Sequence, residues 1–281
     1  MNQTVAQEHA AEVASGERFE FGANWTLFLE GMNNERLESA KASLCRMLET
    51  DNLRGKTFID IGSGSGLFSL AARSLGATVF SFDYDTKSVN CTQELRRRYF
   101  PDDANWRVQQ GSILDPQYLS GLGQFDIVYS WGVLHHTGSM WAAIDNASKL
   151  VKPDGLFFIA LYNDQGGNSK VWKVIKRWYC KAPSIFKPVV LAGACVYLYT
   201  RPFLSGLLRG KPFEFAQGYN YRGMSLWRDI VDWIGGYPFE VAGTGPVFDF
   251  MKTRGFSLRV LLSTHSLGCN EFVFRKDGGP R

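Results

Sequence analysis

The stretch Phe58-Ile59-Asp60-Ile61-Gly62-Ser63-Gly64-Ser65-Gly66-Leu67-Phe68 decides how this chain folds. An apolar run from Thr57 to Ile61 turns abruptly into alternating glycines. Apolar residues then return at helical spacing, Leu67, Leu70, Ala71 and Leu75, until Gly76 closes the segment. The order is strand, tight turn, helix. Glycines at such a turn tolerate positive φ and let the backbone touch a ligand.

What that ligand is follows from what the stretch lacks. A dinucleotide fingerprint needs glycine where this chain has Leu67, and a P-loop needs Gly-Lys-Ser/Thr. No Lys or Arg falls between Thr57 and Ala72, and an acid, Asp60, precedes the glycines. A cationic ligand without phosphate suits these surroundings. S-adenosylmethionine carries an ammonium, a sulfonium and a ribose diol. The next apolar run, Ala77 to Phe82, ends on Asp83, whose carboxylate at a neighbouring strand tip can accept both ribose hydroxyls.

Asp-x-Gly-x-Gly-x-Gly, then an acid closing the second strand, resembles the class I S-adenosylmethionine-dependent methyltransferases. The resemblance implies a doubly wound, Rossmann-like α/β sheet of seven strands with an antiparallel last strand. It implies S-adenosylmethionine as cofactor, held by Asp60, Gly62, Ser63, Gly64, Gly66, Asp83 and Tyr84. Ser112 and Ile113, at the third strand's end, are the expected neighbours of the adenine, although the family usually has an acid where this chain has Ser112. Ser130 and Trp131 complete the expected set at the tip of the fourth strand. Within the family the chain looks most like the ubiquinone-biosynthesis O-methyltransferases, well over Thr57 to Tyr162 and loosely over the C-terminal hairpin. Those enzymes carry Glu-x-x-Glu-His after the fourth strand; here the sequence reads Gly132-Val133-Leu134-His135-His136. Both carboxylates are missing, so no metal is expected.

The 281 residues suit one large domain or a domain with an insertion, and 45% hydrophobic content is ordinary for a globular chain. A net charge of +4 does not mark a dedicated nucleic-acid binder, and no nucleic-acid partner is expected. Five cysteines without a Cys-x-x-Cys pair argue for free thiols in a reducing, cytoplasmic setting. Residues 1–17 lack a basic start and an apolar core; they read as a disordered lead-in and not as a signal peptide. The aromatics Phe19, Phe21, Trp25 and Phe28 form either a flap over the ligand or plain packing.

The core is expected over 18–162 and 246–277. Between them, 163–245 exceeds what the minimal fold needs and reads as a mainly helical cap. From Lys170 to Lys211 it holds nine basic residues and no acid. Val171, Val174, Ile175 and Trp178 fall on one helical face, with Lys173, Lys176, Arg177 and Lys181 on the others. Pro188 to Thr200 adds thirteen uncharged residues, too few to span a bilayer, which takes about twenty. The cap is therefore read three ways: an ordinary helical cover, a lid over an apolar or anionic acceptor, or a peripheral membrane contact through 170–211.

Chemistry in open α/β sheets gathers at the carboxyl ends of strands, where His135 and His136 follow the fourth. Each is a candidate general base or acceptor-orienting group, against the plainer role of capping the next helix. Asp229, Asp232 and Glu240, close to a Gly-Gly-Tyr-Pro turn, are left open between structural and catalytic roles. The resulting expectation is methyl transfer to oxygen or nitrogen of a small, apolar or lipid-like acceptor. The alternatives are an RNA or protein methyltransferase that docks through the basic insertion, and a cofactor-binding regulator without catalysis.

Overall fold

The computed structural model describes residues 2–22, 25, 29, 31–211, 226–265 and 267–278, with the side chains of 2, 3, 201 and 226–229 outside that set. The expectations placed on Phe28 and on the Asp229 carboxylate lie outside the described residues.

Helix α1 (Asn2–Ala14) and helix α2 (Asn34–Leu48) precede strand β1 (Thr57–Ile61). The disordered lead-in expected over 1–17 is thus corrected. Helix α1 has no apolar stripe to announce it, and its order comes from tertiary contacts: His9 is buried edge-on against Tyr84, with ring centroids 5.2 Å apart. In α2 the apolar periodicity is plain: Ala40, Leu44, Met47 and Leu48 face the core, and Asn33 caps the start by accepting the Arg36 N–H.

After β1 come α3 (Leu67–Ser74), β2 (Thr78–Asp83), α4 (Thr86–Tyr99), β3 (Trp106–Gln110), α5 (Pro116–Ser120) and β4 (Phe125–Trp131). A 3₁₀ turn, Leu134–His136, leads into α6 (Met140–Lys149) and β5 (Val151–Tyr162). Helices α7 (Gly167–Lys181), α8 (Lys187–Leu208) and α9 (Leu226–Gly235) follow. The chain returns through α10 (Thr244–Lys252), β6 (Phe256–Leu262) and β7 (Cys269–Lys276). The seven strands run β3-β2-β1-β4-β5-β7-β6, with β7 alone antiparallel to its neighbours. Both faces of the central strands are covered, so they are apolar without alternation: Phe58, Ile59, Ile61 and Val128 are at most 1% exposed.

The cap has its own apolar centre, formed by Trp172, Tyr179, Leu191, Ala194, Ile230, Ile234 and Phe239. Helix α8 is longer than the uncharged run in the sequence. It continues through Arg201 and Pro202 to Leu208, and Ser184–Leu208 is, by length and composition, long and apolar enough to cross a membrane. Truncating Trp172 to Ala should lower stability by about 3–5 kcal/mol, read as a fall in the urea midpoint.

Candidate active site

A cavity of about 1690 Å³ opens where β1, β2 and β4 end. Its floor is the glycine turn. Gly62, Gly64 and Gly66 have φ of 76°, 55° and 81°, the left-handed region where a side chain is strained. Asp83 ties that turn to β2: its two carboxylate oxygens accept the Gly64 and Asp85 N–H groups, each at 2.9 Å. Asp85 in turn caps α4 and accepts the Gly22 N–H at 2.7 Å, which fastens the N-terminal segment over the nucleoside end.

Asp60 is 2% exposed and sits at the end of a directed chain of hydrogen bonds. Trp106 Nε1–H donates to Ser81 Oγ (2.9 Å), the Ser81 hydroxyl to Ser69 Oγ (2.7 Å), and the Ser69 hydroxyl to Asp60 (2.5 Å). One end is fixed because an indole N–H can only donate, and the other because a carboxylate can only accept. Burial nevertheless pushes Asp60 up to about 7, with the nearby Asp83 adding to the rise, and burial pushes Asp83 up to about 6. These acids favour a ligand that brings positive charge, and the turn offers phosphate no cation. The donor set therefore fits the sulfonium and ammonium of S-adenosylmethionine, with Asp83 placed for the ribose diol.

Ser63, Tyr84, Ser112, Ile113 and Trp131 all line the cavity. Two expected contacts do not. Gly66 backs onto α4, where an added Cβ would stand 2.9 Å from Thr92 Cα, so its bareness serves helix packing. Ser130 is fully buried and donates to the Ile61 carbonyl at 3.0 Å, stitching β4 to β1.

The two histidines part company. His136 lines the cavity; its Nδ1 lies 2.7 Å from the Pro238 carbonyl, which can only accept, so Nδ1 carries the proton and Nε2 keeps its lone pair. Burial, helped by Lys176 and Arg18, drives its pKa down to about 3. His135 stands behind it, 0% exposed, accepting the Tyr162 N–H on Nδ1, with its ring centroid 4.1 Å from that of Tyr162 and the planes tilted by 41°. It is not among the residues that line the cavity, where the catalytic role expected of it would need it, and its ring lies 4.4 Å from that of His136. Glu240 accepts the Met140 N–H at the start of α6, a capping position, whereas Asp232 lines the cavity.

Nothing in the sequence sets Lys176 apart. Helical spacing places it with the solvated cations of α7, yet it is 0% exposed and its Nζ has no hydrogen-bond partner among the described residues. Nζ lies 4.3 Å from the Trp233 ring centroid, 4.8 Å from that of Phe239 and 5.8 Å from that of Tyr162. Burial brings its pKa down to about 7. The aromatic segment expected as a flap or as packing includes a strap at residues 18–22: Arg18 donates to the His136 carbonyl at 2.8 Å and lies over Tyr84, the Phe19 N–H bonds the Tyr237 carbonyl, and Phe19 and Phe21 line the cavity.

Two outcomes follow from these titrations. Asp60 and Asp83 titrate above the value near 4 of an exposed carboxyl, so the ligand-free fold holds protons that the unfolded chain has lost. They stabilise it as pH falls from 7 to 5, whereas a cationic ligand needs them charged. Calorimetric affinity for S-adenosylmethionine should therefore fall about tenfold between pH 8 and pH 5.5, and Asp83→Asn should flatten that slope. Lys176 titrates below an exposed lysine, so its burial opposes folding most fully below pH 7. Lys176→Met should raise the melting temperature at pH 6.5, with the gain shrinking toward pH 10.

A methyltransferase-domain family profile matches residues 32–214, from just before α2 into the cap. The ubiquinone biosynthesis O-methyltransferase of Glaesserella parasuis serovar 5 is 27% identical over 115 residues, 41% of this chain and 49% of the relative. That of Brucella ovis is 28% identical over 141 residues, 48% of this chain and 54% of the relative. The chain spans about half the length of the curated relatives it matches. Among solved structures, PKMT2 from Rickettsia typhi in complex with AdoHcy superposes with a TM-score of 0.56 at 12% identity, covering 86% of this chain and 53% of that one. Magnesium protoporphyrin IX methyltransferase from Synechocystis PCC 6803 with bound SAH gives 0.52 at 14% identity, covering 86% and 83%. At these identities the likeness speaks for the fold alone. Since the profile takes in more than half of the chain, and the sheet order and glycine turn agree with it, the chain belongs to the methyltransferase-domain family of class I S-adenosylmethionine-dependent enzymes.

Proposed function

We propose that the protein transfers the methyl group of S-adenosylmethionine to an oxygen, or a nitrogen, of a small and largely apolar acceptor held beneath the cap. The observation that carries this reading is the make-up of the cavity's far end. Tyr162, Leu198, Tyr199, Ile230 and Trp233 wall it, and His136 sets a neutral nitrogen among them. At about 1690 Å³ the cavity exceeds the roughly 300–1,000 Å³ of ordinary small-molecule sites, which leaves room for a nucleoside and a bulky acceptor together. The names of the curated relatives favour oxygen as the acceptor atom. Five free thiols support a reducing, cytoplasmic setting.

The bound cofactor supplies a methyl carbon on a sulfonium, open to in-line displacement. The protein's share is to align the acceptor, exclude water and steer one proton. With Nδ1 committed to Pro238, the His136 Nε2 lone pair can accept a hydrogen bond from an acceptor hydroxyl or amine and set its direction. A pKa near 3 makes this imidazole a weak base, so it acts chiefly by positioning. His135, the Pro238 carbonyl and the strap through Arg18 hold it in place.

His136→Ala should lower kcat about 100-fold with cofactor affinity unchanged, and His136→Gln, which retains an acceptor atom, should recover part of the loss. Because His136 stays neutral, the kcat profile should show no histidine limb between pH 5 and pH 8. Cell extracts incubated with methyl-labelled cofactor should give label that partitions into organic solvent. Full activity in His136→Ala would remove the residue's role, and label confined to RNA or protein would overturn the acceptor class.

A further inference from the structure

Eleven of the fifteen large hydrophobic side chains exposed among the described residues lie between Val171 and Leu208. They fall into three contiguous parts. On α7, Val171, Val174 and Trp178 are 57%, 68% and 56% exposed and share one helical stripe. At the turn between the helices, Ile185 and Phe186 are 77% and 52% exposed. On α8, Val189, Val196, Leu204 and Leu207 recur at helical spacing, all more than half exposed.

The charge carried by this segment itself has one sign. Lys170, Lys173, Arg177 and Lys181 are exposed beside the α7 stripe, Arg209 and Lys211 close the far end of α8, and no acid occurs from 170 to 211. So many exposed large apolar side chains on one stretch of chain mark an interaction site. An apolar stripe carrying Trp, bordered by Lys and Arg alone, is the composition that anionic lipid headgroups attract and the acyl boundary accepts.

We propose that the outer face of α7, the Ile185–Phe186 tip and α8 form a docking surface for an anionic lipid bilayer, with the protein lying on one leaflet. The inner face of α8 explains why the helix lies there and does not cross. Leu191 and Ala194 are buried against Ile230 and Ile234 of α9, and a crossing would strip that packing from the cap. Leu198 and Tyr199, on the same inner side, line the large cavity. Helix α8 is thus a single wall between bilayer and cavity, so an amphiphilic acceptor reaches the site from the membrane. The docking itself stands whether or not the methyl-transfer reading holds.

The test is flotation of the full chain with phosphatidylglycerol-containing vesicles and with phosphatidylcholine vesicles, at low and high salt. The protein should float with the anionic vesicles at low salt, weaken at high salt and leave neutral vesicles largely unbound. The double variant Ile185→Glu/Phe186→Glu should lower partition at least about tenfold, with unchanged melting temperature and unchanged heat of cofactor binding. Four results would overturn the proposal. One is a wild type that does not float at low salt, and another is a variant that floats equally well. Membrane attachment that survives alkaline carbonate would mean a crossing helix. A sedimenting dimer that the variant separates would mean that a second copy covers this face.

Discussion

The site depends on keeping one buried carboxylate in place. Asp60 lies on the central strand β1, where an unpartnered charge would be costly, and three side chains from α3, β2 and β3 pass hydrogen bonds toward it in one direction. That chain locks the glycine turn to its neighbours before any ligand arrives. Asp83 performs the same service from β2 through the Gly64 N–H. Burial raises both acids, with Asp83 adding to the rise of Asp60 and Asp85 to that of Asp83, and a cation beside them relieves both the desolvation and the repulsion.

The acceptor end answers a different constraint. There the charge is a lysine, and aromatic faces surround it in place of hydrogen-bond acceptors. Burial above all, with a smaller push from Lys176, brings the pKa of both His135 and His136 down and keeps their imidazoles neutral. A neutral ring with Nδ1 bound to a carbonyl has one lone pair in a fixed direction. The cap thus contributes to the neutrality of a residue that belongs to the core.

The cofactor half was legible in the sequence because its information is local. Gly62 to Leu67 and Asp83 need only a strand, a turn and a second strand to be placed, and each of these has a short-range signal. Direction was less legible than position. Gly66 and Ser130 occupy the expected turn and strand tip, yet one faces α4 and the other faces β1. His135 and His136 differ by one residue, and only burial separates the supporting ring from the one that meets the cavity. Lys176 carries a helical phase that groups it with solvated cations; only the packing of α9 and the turn before α10 shows that its side is the inner one. Helix α1, with no apolar period, had nothing in its own sequence to reveal it.

The chain leaves the sheet for the cap and rejoins it at adjoining points. Asn163 forms a bridge with Ala242, and the Ala242 N–H bonds the Tyr162 carbonyl at 3.0 Å. Two ends pinned side by side make the excursion between them tolerant of length, since closing a longer loop adds little entropy. Lengthening of the cap therefore costs the nucleoside half little closure entropy. One scaffold can in this way acquire new methyl recipients by trading a single detachable module.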